Sequence, residues 1–274
     1  MTVMRPTEAM KKHPRLKSDY SIQTVSNALR LLEAFSEDDE LGVSELSRRL
    51  GLHKNNVFRL LATLEERGYI EQSASSDRYW LGVRCLELGR SYARGRTLLS
   101  SARAVLEDLT EQTGESSHLG VLRGFEVVHL DGESPRHLVA TVSRVGMRLP
   151  AHCTALGKVL LGCSADSVRE GFDGNVVRSP GLEKRTEKTI VDRDKFFEHL
   201  RGVGVQGFGV DLEECEAGLC CVAAPIFDHE GQVLAALSVS GPAYRVSEDR
   251  LLGEFRSQLV DATNRISATL GHPG

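Results

Sequence analysis

At 274 residues the chain can form two domains with ordinary cores, and its 41% hydrophobic and 26% charged residues are those of a soluble globular protein. No stretch approaches the ~18 uninterrupted apolar residues of a membrane span, no apolar segment near the start reads as a secretory signal, and six cysteines without paired spacing exclude a disulfide scaffold and a zinc finger. Charge is uneven: 16 Lys+Arg against 13 Asp+Glu over residues 1–96 (+3) and 18 against 25 over 97–274 (−7) sum to the overall −4, a balance that suits a mildly basic nucleic-acid-binding module on an acidic body.

Residues 1–20, with Lys11, Lys12, His13, Arg15 and Lys17, read as a flexible basic arm. Ile22, Val25, Leu29, Leu32 and Phe35 then recur at helical spacing and predict a first amphipathic helix. Val43–Leu50 predicts a short second helix with Ser44 as N-cap, and Gly51 supplies the left-handed residue that ends it. A third helix follows from His53 to Gly68, with Val57, Leu60, Leu61 and Leu64 on its core face. A short helix, a glycine turn and a longer helix is the helix-turn-helix arrangement. Opposite the leucines stand Asn55, Arg59 and Ala62, flanked by Lys54, Asn56 and Thr63. Asn can pair with adenine and Arg with guanine, and Ala or Thr can meet a thymine methyl; a plain solvated face with Asn55 as helix cap is the alternative. Tyr69–Gln72 and Arg78–Leu81, joined by Ser73–Asp77, predict a β-hairpin, so residues 21–84 read as a winged helix-turn-helix. Arg78 near the wing tip could reach a phosphate or the minor groove.

Residues 85–113 read as linker helices broken near Gly95, with Leu98, Ala102, Val105 and Leu109 as a stripe on the second. From residue 116 the period becomes two, giving strands on either side of Arg123-Gly124. A helix begins near Thr154, and its first amides could hold an anion. Gly202-Val-Gly-Val-Gln-Gly207 spells a dinucleotide-loop pattern, but the order is reversed: a charged helix over Asp192–Arg201 precedes it and a strand over Phe208–Leu212 follows, as at a helix C-cap entering a sheet. Gly218–Phe227 and Gln232–Ser240 predict a second hairpin, and 247–270 a terminal helix. Antiparallel hairpins with helices on one side make residues 114–270 an α+β domain. On the last strand Ser238 and Ser240 share a face with Ala236, which suits either a polar pocket lining or a solvated edge.

Several segments, in order, resemble the IclR-type transcriptional regulators. SNALRLLEAF, VSELSRRLGLHKNNVFRLLATLEERGYIEQ and YWLGVRCLELG resemble their DNA-binding half. RVGMRLPAHCTALGKVLL, EKTIVDRDKF and DLEECEAGLCCVAAPIFDHEGQVLAALSVSGP resemble their effector domain, so the likeness spans about residues 21–270. It implies a winged helix-turn-helix, a linker helix that helps pair two DNA-binding domains, and a GAF-like effector-binding domain with an antiparallel sheet. It implies a homodimer or tetramer on a palindromic operator, and a small organic or aromatic acid as effector. The effector contacts it implies are Thr154, Ala155, Leu156 and Gly157 at the helix start, Asp211, Cys221, and the pair Ser238 and Ser240. One departure is His53-Lys54-Asn55-Asn56, where the family has Pro and Ser/Thr. Asp211 is an awkward neighbour for a carboxylate unless it accepts from a hydroxyl or is itself protonated.

An enzyme finds little footing. Gly157-Lys158 lacks the first glycine of a P-loop, which falls on His152, and the following Ser/Thr, which is Val159. No Gly-x-Ser-x-Gly elbow and no helical His-x-x-x-His pair occurs. The expectation is a cytoplasmic, effector-controlled DNA-binding regulator without cofactor or metal. An enzyme or metabolite-binding module with protein contacts at its N-terminal domain is the other class, and sequence-preferring DNA binding separates the two.

Overall fold

The computed structural model describes residues 21–36, 38–94, 97–135, 144–176 and 182–273. The basic arm and the break near Gly95 lie outside these residues. The chain forms two compact units that divide between residues 92 and 93, so the region read as one linker is shared between them. No helix among the described residues is long and apolar enough to cross a membrane.

The first unit packs α1 (Gln23–Glu33), α2 (Val43–Leu50) and α3 (Lys54–Glu66) over a small sheet of β1 (Leu41–Gly42), β3 (Arg78–Leu81) and β2 (Ile70–Gln72), in that order. Leu31, Phe35, Leu46, Leu50, Val57, Leu61, Ile70 and Tyr79 form its core. Helix α1 exists but faces otherwise than expected. Of the expected stripe, Ile22, Val25 and Leu29 are 66%, 53% and 55% exposed, while Phe35 is buried and Leu32 packs against the core, to which Leu31 adds the main contact of the helix. The helix carries two apolar stripes, and periodicity alone does not say which one is covered. Nor is Ser44 the cap of α2: Gly42 holds that place, and its N–H donates to Glu45 Oε2 (2.9 Å). Gly51 ends α2 in the left-handed conformation (φ 66°) as expected. Helix α4 (Val83–Arg94) closes the unit with Val83, Leu86 and Leu88 exposed.

The second unit is built on a six-stranded antiparallel sheet. Its strands are β4 (Ser116–Arg123), β5 (Glu126–Glu133), β6 (Arg148–Pro150), β7 (Gly209–Leu212), β8 (Leu219–Phe227) and β9 (Val233–Pro242), in the order β6-β5-β4-β9-β8-β7. Helices cover both faces, not one. On one face α5 (Thr97–Thr113) and α10 (Arg256–Thr269) bury Leu98, Ala102, Leu106, Leu259 and Ile266 against Leu119, Val222, Leu237 and Val239. On the other, α6 (Ala155–Gly162), α7 (Asp166–Val176) and α8 (Arg193–Gln206) pack Leu156, Val159, Phe172, Phe196 and Leu200 against Val127, Ala223 and Ala236. The inner strands are apolar on both sides, so each face demands a cover. Before α10 lie the short α9 (Glu248–Arg250) and a π-helical turn over Leu251–Phe255.

The glycine run of 202–207 lies mostly inside α8. The helix continues to Gln206, and Gly207 (φ 74°) is its left-handed cap. A Cβ on Gly204 would stand 2.4 Å from the Gly162 carbonyl oxygen, so Gly204 and Gly162 let α8 and α6 cross closely.

Candidate functional site

The first unit offers one surface of interest. Lys54, Asn55, Asn56, Arg59, Ala62 and Thr63 are all exposed on α3, opposite Val57 and Leu61. The cap of α3 is His53, without a side-chain hydrogen bond, so Asn55 and Asn56 sit within the first turn and do not cap it. Thr63 Oγ1 donates back to the Arg59 carbonyl (2.8 Å). Phe58, which the sequence reading passed over, is 57% exposed beside them and lines a groove with Asn56, Arg59, Ala62, Thr63 and Asn27 of α1. Its place three residues after Asn55 was the signal. Arg78 is held within the unit: its guanidinium donates to the Glu40 carbonyl (2.7 Å) and pairs with Glu45 (3.2 Å).

In the second unit the segments singled out in the sequence meet at one cavity. Thr154, Ala155 and Leu156 from the start of α6, Asp211 from β7, Cys221 from β8, and Ser238 and Ser240 from β9 all line it. Antiparallel register brings the strands together, with Asp211 opposite Cys221 and Cys221 opposite Ser240. Because side chains alternate, Leu237, Val239 and Cys220 go to the other face. Ser238 and Ser240 are each only 4% exposed on a central strand, so the solvated-edge alternative does not hold. Gly157 does not line the cavity. Its N–H donates to Thr154 Oγ1 (3.2 Å) as the helix cap, and a Cβ there would lie 2.1 Å from the Ala151 carbonyl oxygen. Glycine at 157 is a packing need.

Further lining residues were missed: His118 and His129 on β4 and β5, Arg144, Leu149, Cys215 and Leu219. His118 Nδ1 lies 3.3 Å from Ser240 Oγ, and its ring meets that of His129 edge to face at 5.6 Å. Burial holds His118 down at about 3, with His129 and Arg144 adding repulsion, and burial then Arg144 hold His129 at about 4. Both imidazoles are neutral near neutral pH. Burial pushes the Asp211 carboxyl up to about 7, although its Oδ1 accepts from the N–H groups of Glu214 (2.6 Å) and Cys215 (3.3 Å). Half-protonated near neutrality, it can donate as well as accept.

The loop after β7 is firmly held. Fully buried Lys158 donates to the Val210 carbonyl (2.9 Å) and pairs with the Glu214 carboxylate. Thr186 Oγ1 donates to the Glu213 carbonyl and Thr189 Oγ1 to that of Glu214, both at 2.7 Å. Glu213 itself takes a left-handed backbone (φ 65°), unusual for a side-chain-bearing residue. Arg144 pairs with Glu216 of the same loop. The space left between these walls is small, about 30 Å³ for a water-sized occupant.

Comparison with known proteins places both units. The IclR helix-turn-helix domain matches residues 24–74, and the C-terminal domain of the bacterial transcriptional regulator IclR matches 90–268. The HTH-type transcriptional regulator XynR of Escherichia coli (strain K12) is 35% identical over 257 residues, covering 92% of this chain and 98% of that protein. A solved transcriptional regulator from Rhodococcus sp. RHA1 superposes with a TM-score of 0.79 at 30% identity, covering 91% of this chain and 98% of that one. An IclR homologue from Microbacterium hydrocarbonoxydans, complexed with 4-hydroxybenzoate, gives a TM-score of 0.77 at 27% identity over 90% of this chain and 98% of that one. These families and relatives are regulators, not enzymes, and they pair a DNA-binding helix-turn-helix with a ligand-binding domain. The chain belongs to the IclR family of bacterial transcriptional regulators.

Proposed function

We propose that this regulator acts in the cytoplasm as a homodimer on a twofold operator, and that a small hydroxylated organic acid in the second-unit cavity changes its affinity for DNA. The carrying observation is the convergence of four separated segments on one buried, polar space. Ser238, Ser240, Thr154 and two neutral imidazoles supply hydroxyl and ring-nitrogen partners. The amides of Ala155 and Leu156, with Arg144 close by, suit a carboxylate. Asp211 is able to share a proton with a ligand hydroxyl. With about 30 Å³ free, room for about two waters, a ligand of several heavy atoms must widen the walls as it enters. An aromatic hydroxy acid is the second ligand class, favoured by the 4-hydroxybenzoate complex of the Microbacterium relative.

On the DNA side, Asn55, Asn56, Arg59 and Thr63 are the residues proposed to read bases, with Lys54 on phosphate. Arg78 belongs to this set through its place at the wing, but it must first leave Glu45 to reach a phosphate. Domain bounds of 21–84, 85–113 and 114–270 remain the functional division proposed.

A thermal-shift screen of small hydroxy acids and aromatic acids, followed by mobility shift on DNA flanking the gene, tests the reading. Replacing both Ser238 and Ser240 by Ala removes two hydroxyls at little change in volume. The double variant is expected to keep ligand-free DNA affinity and lose most of the ligand response. An undiminished response places the ligand elsewhere.

A further inference from the structure

The loop between β7 and β8 stands between two spaces. On one side is the effector cavity; on the other is an open groove of about 750 Å³ bounded by residues 183–188 and by Glu213, Cys215 and Glu216. Cys215 lines both, so at that point the two spaces share a wall. The charges on the groove's rim are largely paired with one another: Lys184 with Glu187 (2.6 Å), Arg185 with Glu183 (3.7 Å), and Lys188 with Glu213. Glu216 is different. Its carboxylate pairs with Arg144, which lines the cavity. Among the described residues of the cavity lining, Arg144 is the one with a fixed positive charge. That charge reaches inside: after burial, it helps to hold down both His118 and His129.

We propose that Glu216 is a resident substitute for the effector's carboxylate: it holds Arg144 until an anionic ligand takes its place, so that the cavity admits acids over neutral molecules of the same shape. This rests on the cavity being the effector site. The two partners are unequally exposed, with the Arg144 side chain at 15% and that of Glu216 at 58%. A guanidinium shielded from water loses much when left without an anion, whereas an exposed carboxylate regains its water on release. The exchange therefore favours a ligand that brings its own negative charge. A neutral ligand either leaves the pair intact and forgoes Arg144, or breaks it and strands a half-buried cation. The planar fork of Arg144 also matches a carboxylate through two parallel hydrogen bonds.

Release of Arg144 does not require the loop to unfold. The loop is pinned on both sides of Glu216 by contacts that do not involve its side chain. Asp211 Oδ1 accepts from the N–H groups of Glu214 and Cys215, Lys158 holds the Glu214 carboxylate, and Glu213 Oε2 accepts from the Gly218 N–H (2.9 Å). The Glu216 carbonyl itself accepts from the Leu219 N–H (3.2 Å). The backbone is thus fixed while the exposed side chain is free to turn into the groove, and one carboxylate replaces another on the same guanidinium.

The test is calorimetric binding of glycolate, lactate and 4-hydroxybenzoate to the full chain, each beside its amide. The chains compared are the parent, Glu216→Gln, Arg144→Gln and the double variant. At least one acid is expected to bind the parent more tightly than its amide does. Glu216→Gln is expected to tighten that acid by about threefold to tenfold and to leave the amide unchanged, since it removes a competitor and no contact to the ligand. In Arg144→Gln the preference for acid over amide is expected to vanish, and adding Glu216→Gln to it is expected to change nothing. Acid binding that is equal or weaker in Glu216→Gln overturns the proposal, as does an acid preference that survives Arg144→Gln; in both cases the cavity stays the effector site. A parent that binds none of the acids, or binds them undiminished after Ser238→Ala with Ser240→Ala, overturns the effector site itself and the exchange with it.

Discussion

Asp211 shows how burial turns a common residue into a sensor of its surroundings. Its carboxyl stands at about 7, against ~3.9 in an unfolded chain. The folded chain therefore holds this proton more tightly, and ionisation costs stability as pH rises from about 4 through about 7. His118 and His129 act oppositely: held at about 3 and about 4 and buried neutral, they cost stability as pH falls below ~6.5. Asp211→Asn removes only the first effect. Urea unfolding is expected to find the variant more stable than the parent by up to ~4 kcal/mol above pH ~8, with the gap closing toward pH ~4. A gap independent of pH would contradict the shift. On the DNA-binding unit, Arg59→Ala is expected to cost ~1–3 kcal/mol of specific binding and relax preference at one base per half-site. Equal losses on specific and random DNA would make Arg59 a phosphate contact. Ser238 and Ser240 were legible as cavity residues because strand alternation put them on one face and the family likeness favoured the pocket over a solvated edge, whereas Asp211 and Cys221 came from the likeness alone. His118 and His129 on strands and Arg144 in the segment before β6 were not, since a polar residue carries no mark of the fold that will bury it.

At the scale of elements, most helices and strands were legible, while their ends and covered faces were not. Two glycines in α8 make the point. Gly202 and Gly204 are two residues apart in one helix, although the glycine pattern reads as a turn after the helix. A Cβ on Gly202 meets nothing within 4 Å, whereas on Gly204 it would collide with the Gly162 carbonyl. Gly202→Ala is therefore expected to raise stability by ~0.5–1 kcal/mol through helix propensity alone. Gly204→Ala is expected to lower it by ~1–3 kcal/mol, because α6 and α8 must separate. Thermal melts of the two variants against the parent decide the matter, and a shift in the same direction for both would refute the close crossing. Likewise α1 was legible as a helix but not in its rotation, since which of two apolar stripes meets the core depends on α2 and α3.

At the scale of the molecule, the exposed stripe of α1 (Ile22, Val25, Leu29) and the exposed Val83 and Leu86 of α4 are surfaces suited to a second copy of the same unit. Val25→Glu combined with Leu29→Glu is expected to leave the unit folded, weaken pairing of the DNA-binding units and reduce operator affinity at least tenfold. Sedimentation and mobility shift would read both, and unchanged operator binding would assign the pairing to other surfaces. Footprints are expected to cover two half-sites about one helical turn apart, or a multiple of it. The central strands carry a further consequence. On β4, His118 faces the cavity while Ser117 Oγ donates to the Leu106 carbonyl of α5 (2.9 Å). On β9, Ser238 faces the cavity while Leu237 and Val239 pack in the cluster that holds α5. The two strands thus work as a diaphragm one residue thick. A guest that pushes on its wet side must displace the dry side by a comparable step, and α5, which follows directly in the chain from the DNA-binding unit, is what rests against that dry side.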